Sequence, residues 1–464
     1  MSAHSTTAEP VKKNKPGRVI FASLIGTTIE FYDFYVYATA AVLVFPALFF
    51  PKADPVTQLL SSFAVFGVAF IARPIGSILF GHFGDKIGRK GTLIASLLTM
   101  GLATFFIGLL PTATVPGWEI AAPALLTLMR FAQGIALGGE WSGAALLATE
   151  NAPAGRRAVY GTFPQLGAPL GFILANLLFV WLNAALSPAD FAAWGWRIPF
   201  LASAIMVAIG LYVRLQLIES PAFQKVVDNN KVSSLPLGTV FKTSWRPLIL
   251  GTFIMLATYV LFYIMTAFTL TYGTAPASAE KAQAAAEAAG KTFNAAAFTP
   301  GLGYPRGEFL TMLIIGVVFF GIFTLVAGPL AEKYGRRKTL IFVTAGIILF
   351  GLSFAPLFGA GTVGTMAALI LGFTLMGLTF GPMGALLPEL FPTNVRYTGS
   401  AVSYNLASVI GAAPAPYVAV ALWQLADGST WLVGVYLSLA ALITLVSLLI
   451  LKETKDTDYE GNMS

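Results

Sequence analysis

Five ionisable residues, Glu30, Asp33, Arg73, Arg130 and Glu140, interrupt stretches that otherwise hold almost nothing but hydrocarbon. Glu30 and Asp33 are three apart, which puts both carboxylates on one face of a helix. Such a set can do two kinds of chemistry. An arginine can hold an anion, because its flat fork grips a carboxylate at two points. A carboxylate left without a cation in a low dielectric can take up and release a proton. Structural ion pairing is the competing reading, Arg73 with Glu140 and Arg130 with Glu30 or Asp33. Against it stands the charge balance: two arginines leave one of three acids over.

Enzyme chemistry has little material here. The chain has no cysteine and two histidines, His4 and His82. That removes thiol catalysis, thiolate metal sites and a histidine-based metal site or acid–base pair. No G-x-S-x-G elbow is present. The expectation is a protein that is not an enzyme, with no catalytic residue, no metal site and no cofactor.

The elements that carry these residues follow from composition. The chain has 464 residues, 56% hydrophobic and 11% charged, far below the charged fraction of soluble domains. Twelve segments are long and apolar enough to span a bilayer, at about 19–46, 58–81, 92–110, 120–147, 159–184, 195–215, 247–272, 308–330, 339–357, 363–388, 398–424 and 430–451. Residues 1–18 form a polar, basic tail. The apolar run that follows is too long for a signal peptide and reads as a retained first helix. Ionisable groups at this depth are expensive unless they face a cavity or a partner, so each is a candidate for function. At ~1.5 Å per residue from Arg18, Glu30 lies roughly 18 Å into the first segment, near mid-membrane.

Charge sets the orientation. The loops on the side of both termini hold about 21 Lys and Arg, and the opposite loops hold Lys52, Lys281, Lys291 and Arg306. Both termini are therefore expected in the cytoplasm. The net charge of +7 is a matter of topology and does not mark a nucleic-acid partner. A polar stretch at 216–246 separates segments 19–215 from 247–451, an alanine-rich insert at 273–306 lies on the opposite side, and 452–464 is a second terminal tail. The insert reads as a spacer with a short amphipathic helix.

A phrase recurs half a chain apart: GHFGDKIGRKGTL at 81–93 and GPLAEKYGRRKTL at 328–340. Asp85 aligns with Glu332 and Arg89 with Arg336. A second pair of markers, Glu150 and Arg157, aligns with Glu389 and Arg396. Both sets fall between the same helices of each half, so the chain is expected to be a duplicated six-helix unit, with a substrate site between parallel halves. Positive-inside anchoring explains the cations but not the recurring acid. Acids at these places can pair with cations or cap helix N-termini, so all eight residues are read as a gate that latches the terminus-bearing ends of the halves.

These phrases carry a resemblance. GHFGDKIGRKGTL is similar to the loop signature of the major facilitator superfamily, and RFAQGIALGGEWSGAALLATENAP (130–153) contains the R-x-x-Q-G pattern of that superfamily's fourth helix. Together with GTTIEFYDFYVYATAAVLVFPALFFP (26–51), ARPIGSILFGHFGD (72–85) and PMGALLPELFPTNVRYTGSAVSYN (382–405), they resemble the metabolite:proton symporter branch. The resemblance implies an all-α membrane protein, twelve transmembrane helices in two pseudo-symmetric six-helix bundles, in a bacterial inner membrane. It implies alternating access and proton-coupled symport of a small organic acid, shikimate-like or another carboxylate. The alternative within the branch is a zwitterionic osmolyte such as proline or betaine; the short tail after the last helix weighs against it, since osmosensing members carry a long helical extension there. Arg73, in ARPIG, resembles an arginine associated with carboxylate substrates, and Arg130 one linked to proton transfer.

The expected site follows. Substrate contacts are assigned to Arg73, Tyr32, Tyr259, Tyr263, Gln165 and Asn405, with core packing as the competing role of the tyrosines. Proton coupling is assigned to Glu30, Asp33, Arg130 and Glu140. Trp141 reads as packing. The mid-membrane part of the second half holds hydroxyls and amides but no charge, so it is expected to supply a neutral wall. The expected partners are a small organic anion or zwitterion, protons and the lipid bilayer, with no nucleic acid, and the chain is expected to act as a monomer.

Overall fold

In hydrocarbon every backbone N–H and C=O must be paired within the segment, so apolar segments of this length become helices. The structure, a computed structural model, shows twelve such helices among its described residues: α1 Gly17–Leu43, α2 Thr57–Phe83, α3 Lys90–Leu109, α4 Ala121–Glu150, α5 Arg157–Ala185, α6 Gly195–Leu215, α7 Trp245–Thr274, α8 Arg306–Tyr334, α9 Arg336–Phe358, α10 Gly361–Glu389, α11 Thr393–Leu425 and α12 Trp431–Ile450. It describes residues 16–53, 55–86, 89–216, 236–288, 293–295, 298–455 and 457. The side chains of residues 16, 55–56, 84–86, 89, 236 and 288 lie outside that description. So do most of the expected linker, at 217–235, and parts of both tails.

Each half packs the same way. In the first, α2 lies along α4; in the second, α8 lies along α10. Glycine makes both crossings close. A Cβ at Gly138 would sit 2.2 Å from the Arg73 carbonyl oxygen, and one at Gly377 would sit 2.5 Å from the Phe320 carbonyl oxygen. Small residues of this kind bring helix backbones together in membranes, where no hydrophobic drive between helices exists. Outward faces are apolar, as at Ile205, Phe342, Leu352 and Val363.

The two six-helix bundles meet mainly through α5 against α8 and α2 against α11, again a pseudo-symmetric pair. Two helices of the second bundle are interrupted beside the centre. Helix α7 passes through a π-helical turn at Ile264–Phe268, and α11 through another at Ser408–Ala412. Such turns recur at functional sites because they rotate the side chains that follow them. The insert does form a short helix, Ala279–Ala288. Its return segment is tied to the end of α7, with Leu302 N donating to Tyr272 O at 2.9 Å and Tyr304 N to Gly273 O at 2.9 Å.

Candidate functional site

Two small voids lie between the bundles. One is lined by Tyr35 and Arg73 of the first bundle and by Thr258, Tyr259, Tyr263 and Tyr404 of the second. The other lies toward the end opposite the termini and is lined by Thr39, Phe66, Asn176, Thr266 and Leu270, among others. Tyr35 and Tyr263 line both and so form the partition.

Arg73 is the only charged side chain on either wall among the described residues. It is buried, and its guanidinium lies over Phe70, 4.5 Å from the ring centroid, and Phe34, at 5.1 Å. Aromatic faces hold a cation without neutralising it. Arg73 makes no ion pair with a described residue, and its Nε has no hydrogen-bond partner. Glu30 is an electrostatic neighbour, and one of its carboxylate oxygens is also unpartnered. Tyr259 and Tyr263 are on the wall. Tyr32 is turned away: its hydroxyl donates to Pro199 O at 2.7 Å, and the wall position one helical turn on belongs to Tyr35.

Gln165 and Asn405 sit beneath the void and join the bundles. Gln165 accepts from Trp141 Nε1 at 2.7 Å and donates to Phe380 O at 2.8 Å. Asn405 Nδ2 donates to Gly138 O at 2.7 Å. Trp141 stacks flat on Tyr404 there, so its place is a floor between the two halves and not packing within one.

The remaining membrane charges are paired differently from the expectation. Glu140 is ion-paired to Arg214, not Arg73, and accepts from Ser96 Oγ at 2.5 Å. Arg214, from the last turn of α6, also donates to Leu93 O and is an electrostatic neighbour of Glu30. The sequence reading counted it among the loop cations. With it, three arginines face three acids, and the surplus carboxylate inferred from the charge count disappears. Its path into the bundle runs past Gly26, where a Cβ would lie 2.6 Å from Arg214 Nη2.

Arg130 pairs with neither Glu30 nor Asp33. Its Nη1 donates to Gln133 Oε1 at 2.9 Å and its Nε to Phe66 O at 3.4 Å, and the guanidinium lies 4.1 Å from the Tyr37 centroid. Gln133 in turn donates to Thr104 Oγ1 at 2.8 Å. Asp33 faces Thr104 and Ser203, but neither of its carboxylate oxygens closes a hydrogen bond with a described residue, and no cation pairs with it. Charge balance thus holds for the bundle and fails locally at Asp33.

At the terminus-bearing end the second repeat forms a cluster. Arg336 Nη2 lies 3.0 Å from Glu389 and 3.3 Å from Glu332. Glu332 also accepts from Ala158 N at 2.5 Å. Ala158 is in the first turn of α5, so an acid of the second bundle caps a helix of the first. Thr454 Oγ1 donates to Glu389 at 2.7 Å, Glu453 accepts from Arg336 N at 2.8 Å, and Arg157 Nη1 donates to Thr457 O at 2.5 Å. Buried charge in the second half is therefore real, at Arg336, Glu389 and Arg396, but confined to this end. Arg396 Nε donates to Phe391 O at 3.1 Å. Glu150 is half-buried at the end of α4. The side chains of Asp85 and Arg89 lie outside the described residues.

Comparison with known proteins matches this architecture. A sequence model described as Major Facilitator Superfamily matches residues 23–416. The chain is 53% identical over 461 residues to an inner membrane metabolite transport protein, YhjE, of Escherichia coli K12, covering 98% of this chain and 99% of that one. It is 32% identical over 452 residues to the shikimate transporter of the same organism, covering 94% and 95%. In structure it is similar to the proton:xylose symporter XylE bound to 6-bromo-6-deoxy-D-glucose, with a TM-score of 0.70 at 16% identity, over 95% of this chain and 96% of that one; that likeness concerns the fold. The chain is thus a multi-pass membrane transporter of metabolites and not an enzyme, and it belongs to the major facilitator superfamily.

Proposed function

We propose that the chain carries a small organic acid together with a proton into the cytoplasm, acting as a monomer in a bacterial inner membrane with both termini inside. The observation that supports this most is Arg73: a buried guanidinium without an ion pair, on the wall of a void between the two bundles. Such a group is a site for a carboxylate. Asp33 is the proton carrier in this reading, because it is buried with no cation and no closed hydrogen bond. Glu30 links the two. An anion that takes Arg73 removes a counter-charge from Glu30, so anion and proton each favour the other's binding. The positive loop charge on the side of the termini supports the orientation.

Alternating access would close one end while the other opens. The Glu332 cap on α5 and the Trp141–Tyr404 floor are the contacts that hold the terminus-bearing end shut.

A zwitterion is the second reading, supported by the tyrosines around the void, whose faces suit a quaternary ammonium group. Uptake by purified protein in liposomes, with an imposed acid-outside gradient and with an uncoupler, tests both. Accumulation of a carboxylic acid that the uncoupler abolishes supports the proposal. Accumulation of betaine but no acid would overturn it in favour of the second reading.

A further inference from the structure

The space beside Arg73 is closed to a substrate in this structure: the voids on either side of Tyr35 and Tyr263 have room for little more than water. A carboxylate that reaches Arg73 has to displace a side chain. We propose that this side chain is Tyr263, and that it serves as a built-in stand-in for the substrate. In the empty transporter it occupies the place on Arg73 that a carboxylate takes later, and its release frees α7 from the first bundle. The inference rests on the organic-acid reading and adds the residue that senses occupancy.

Position comes first. Tyr263 belongs to the second bundle, but its ring is packed into the first. It meets Phe70 of α2 at 5.3 Å, Phe66 of α2 at 5.9 Å and Phe34 of α1 at 6.3 Å, with planes 86°, 66° and 74° apart. Edge-to-face pairs at such distances attract. Phe70 and Phe34 are also the rings over which the Arg73 guanidinium lies, and the Tyr263 hydroxyl faces that guanidinium. Tyr259 and Tyr404 line the same void but pack on each other at 5.2 Å, with Tyr404 on Trp141. Of these three tyrosines, Tyr263 is the one that shares the aromatic box of Arg73, and the one that lines both voids.

Energetics comes second. A buried guanidinium without an ion pair is costly, and a carrier that works by alternating access has to close when empty as well as when loaded. A phenol hydroxyl offers the cation a neutral oxygen. A carboxylate offers a charged one, and hydrogen bonds between charged partners are about twice as strong. A carboxylate therefore wins Arg73 when present, and Tyr263 holds the place when it is absent. That order of strengths is what a contact sensing occupancy requires.

A hinge comes third. Tyr263 immediately precedes the π-helical turn at Ile264–Phe268. Such a turn holds its helix in a register that an α-helical turn does not, and a change of that register rotates one side of the helix against the other. The far side is fixed. Tyr272 O and Gly273 O accept from the insert, and the Tyr272 ring lies 5.8 Å from Phe268 and 5.7 Å from Trp423. The movable side is the one that carries Tyr263, and its withdrawal breaks the ring contacts by which α7 is held to α1 and α2.

The test has two arms, both on the full-length protein. In the first, acetate, benzoate, succinate and glycine betaine are titrated by thermal shift in detergent against the unaltered protein, Tyr263→Phe and Arg73→Ala. Losing a competitor for Arg73 strengthens binding, so the carboxylate that the unaltered protein binds best should bind Tyr263→Phe about tenfold more tightly. It should not bind Arg73→Ala. A tyrosine that only contacts the substrate, or only packs, gives weaker or unchanged binding in Tyr263→Phe. Either result overturns the inference and leaves the organic-acid reading standing, whereas binding of betaine with no carboxylate overturns both. The second arm needs no ligand. Met255→Cys, on the wall of the inner void alone, is alkylated from the side opposite the termini in proteoliposomes. Its rate should rise several-fold in the Tyr263→Ala background, because the plug is gone. An unchanged rate overturns the inference whatever the titrations give.

Discussion

Trp141 of α4 and Tyr404 of α11 stack face to face across the boundary between the two bundles, ring centroids 4.0 Å apart and planes 4° from parallel. The stack adjoins the void that Tyr404 lines, and Gln165 accepts a hydrogen bond from the indole. Separating the two bundles at this point parts these rings. An aromatic pair of this kind is worth about 0.5–1.5 kcal/mol beyond burial. Trp141→Ala should therefore raise the open population at that end by roughly two- to tenfold. The chain has no cysteine, so Met255→Cys gives a clean reporter on the void wall. Its alkylation from the terminus-bearing side should rise in the Trp141→Ala background. An unchanged rate would show that the stack is no barrier.

Asp33 has no cation partner, whereas Glu140 has Arg214. Asp33→Asn should abolish the dependence of uptake on a pH gradient while substrate exchange across the membrane continues. Glu140→Gln should not flatten the pH profile. If Asp33→Asn retained gradient-driven accumulation, the proton would have to be carried elsewhere.

Removing Arg214 alone strands a buried carboxylate. Arg214→Gln should cost about 3–5 kcal/mol, the usual penalty for breaking one side of a buried pair. The double variant with Glu140→Gln should recover most of the loss, because neither side is then charged. Thermal unfolding of the two single variants and the double variant reads this as a coupling. Additive effects would mean that the pair does not act as a unit.

Glu332 joins the bundles by capping α5 through Ala158 N while also meeting Arg336. Glu332→Gln should weaken this latch by about 1.5–3 kcal/mol, the range for a hydrogen bond to a charged group. Spin labels at Val159→Cys and Lys333→Cys should then report a longer mean distance than in the protein with Glu332 intact. Identical distance distributions would remove the cap from the gate.

Residue types alone singled out several side chains that the fold brings to the void. Arg73, Tyr259 and Tyr263 were assigned substrate contacts, with core packing as the competing role of the tyrosines, and all three line the void. The choice between Tyr32 and Tyr35 was not legible, since both lie on the same helix and only the rotation of α1 against its neighbours turns one to the void and the other to Pro199. Arg214 had no local signal. At the end of an apolar segment an anchoring arginine and one that folds back into the bundle look alike, and the room beside Gly26 that admits it comes from a helix almost 190 residues earlier in the chain.

The amino-acid sequence by itself determined twelve spans, their duplication in two sets of six and the chemical inventory at mid-membrane, because hydropathy and backbone pairing in lipid act along the chain and need no partner. Only the tertiary structure decided which acid meets which arginine: Glu140 with Arg214, Glu332 with Arg336 and the start of α5, and Asp33 with none. Those matches depend on helix rotation and on reach across a crossing. A guanidinium several ångströms from its own backbone takes its partner from whichever helix lies within that reach, and one-dimensional order does not record that.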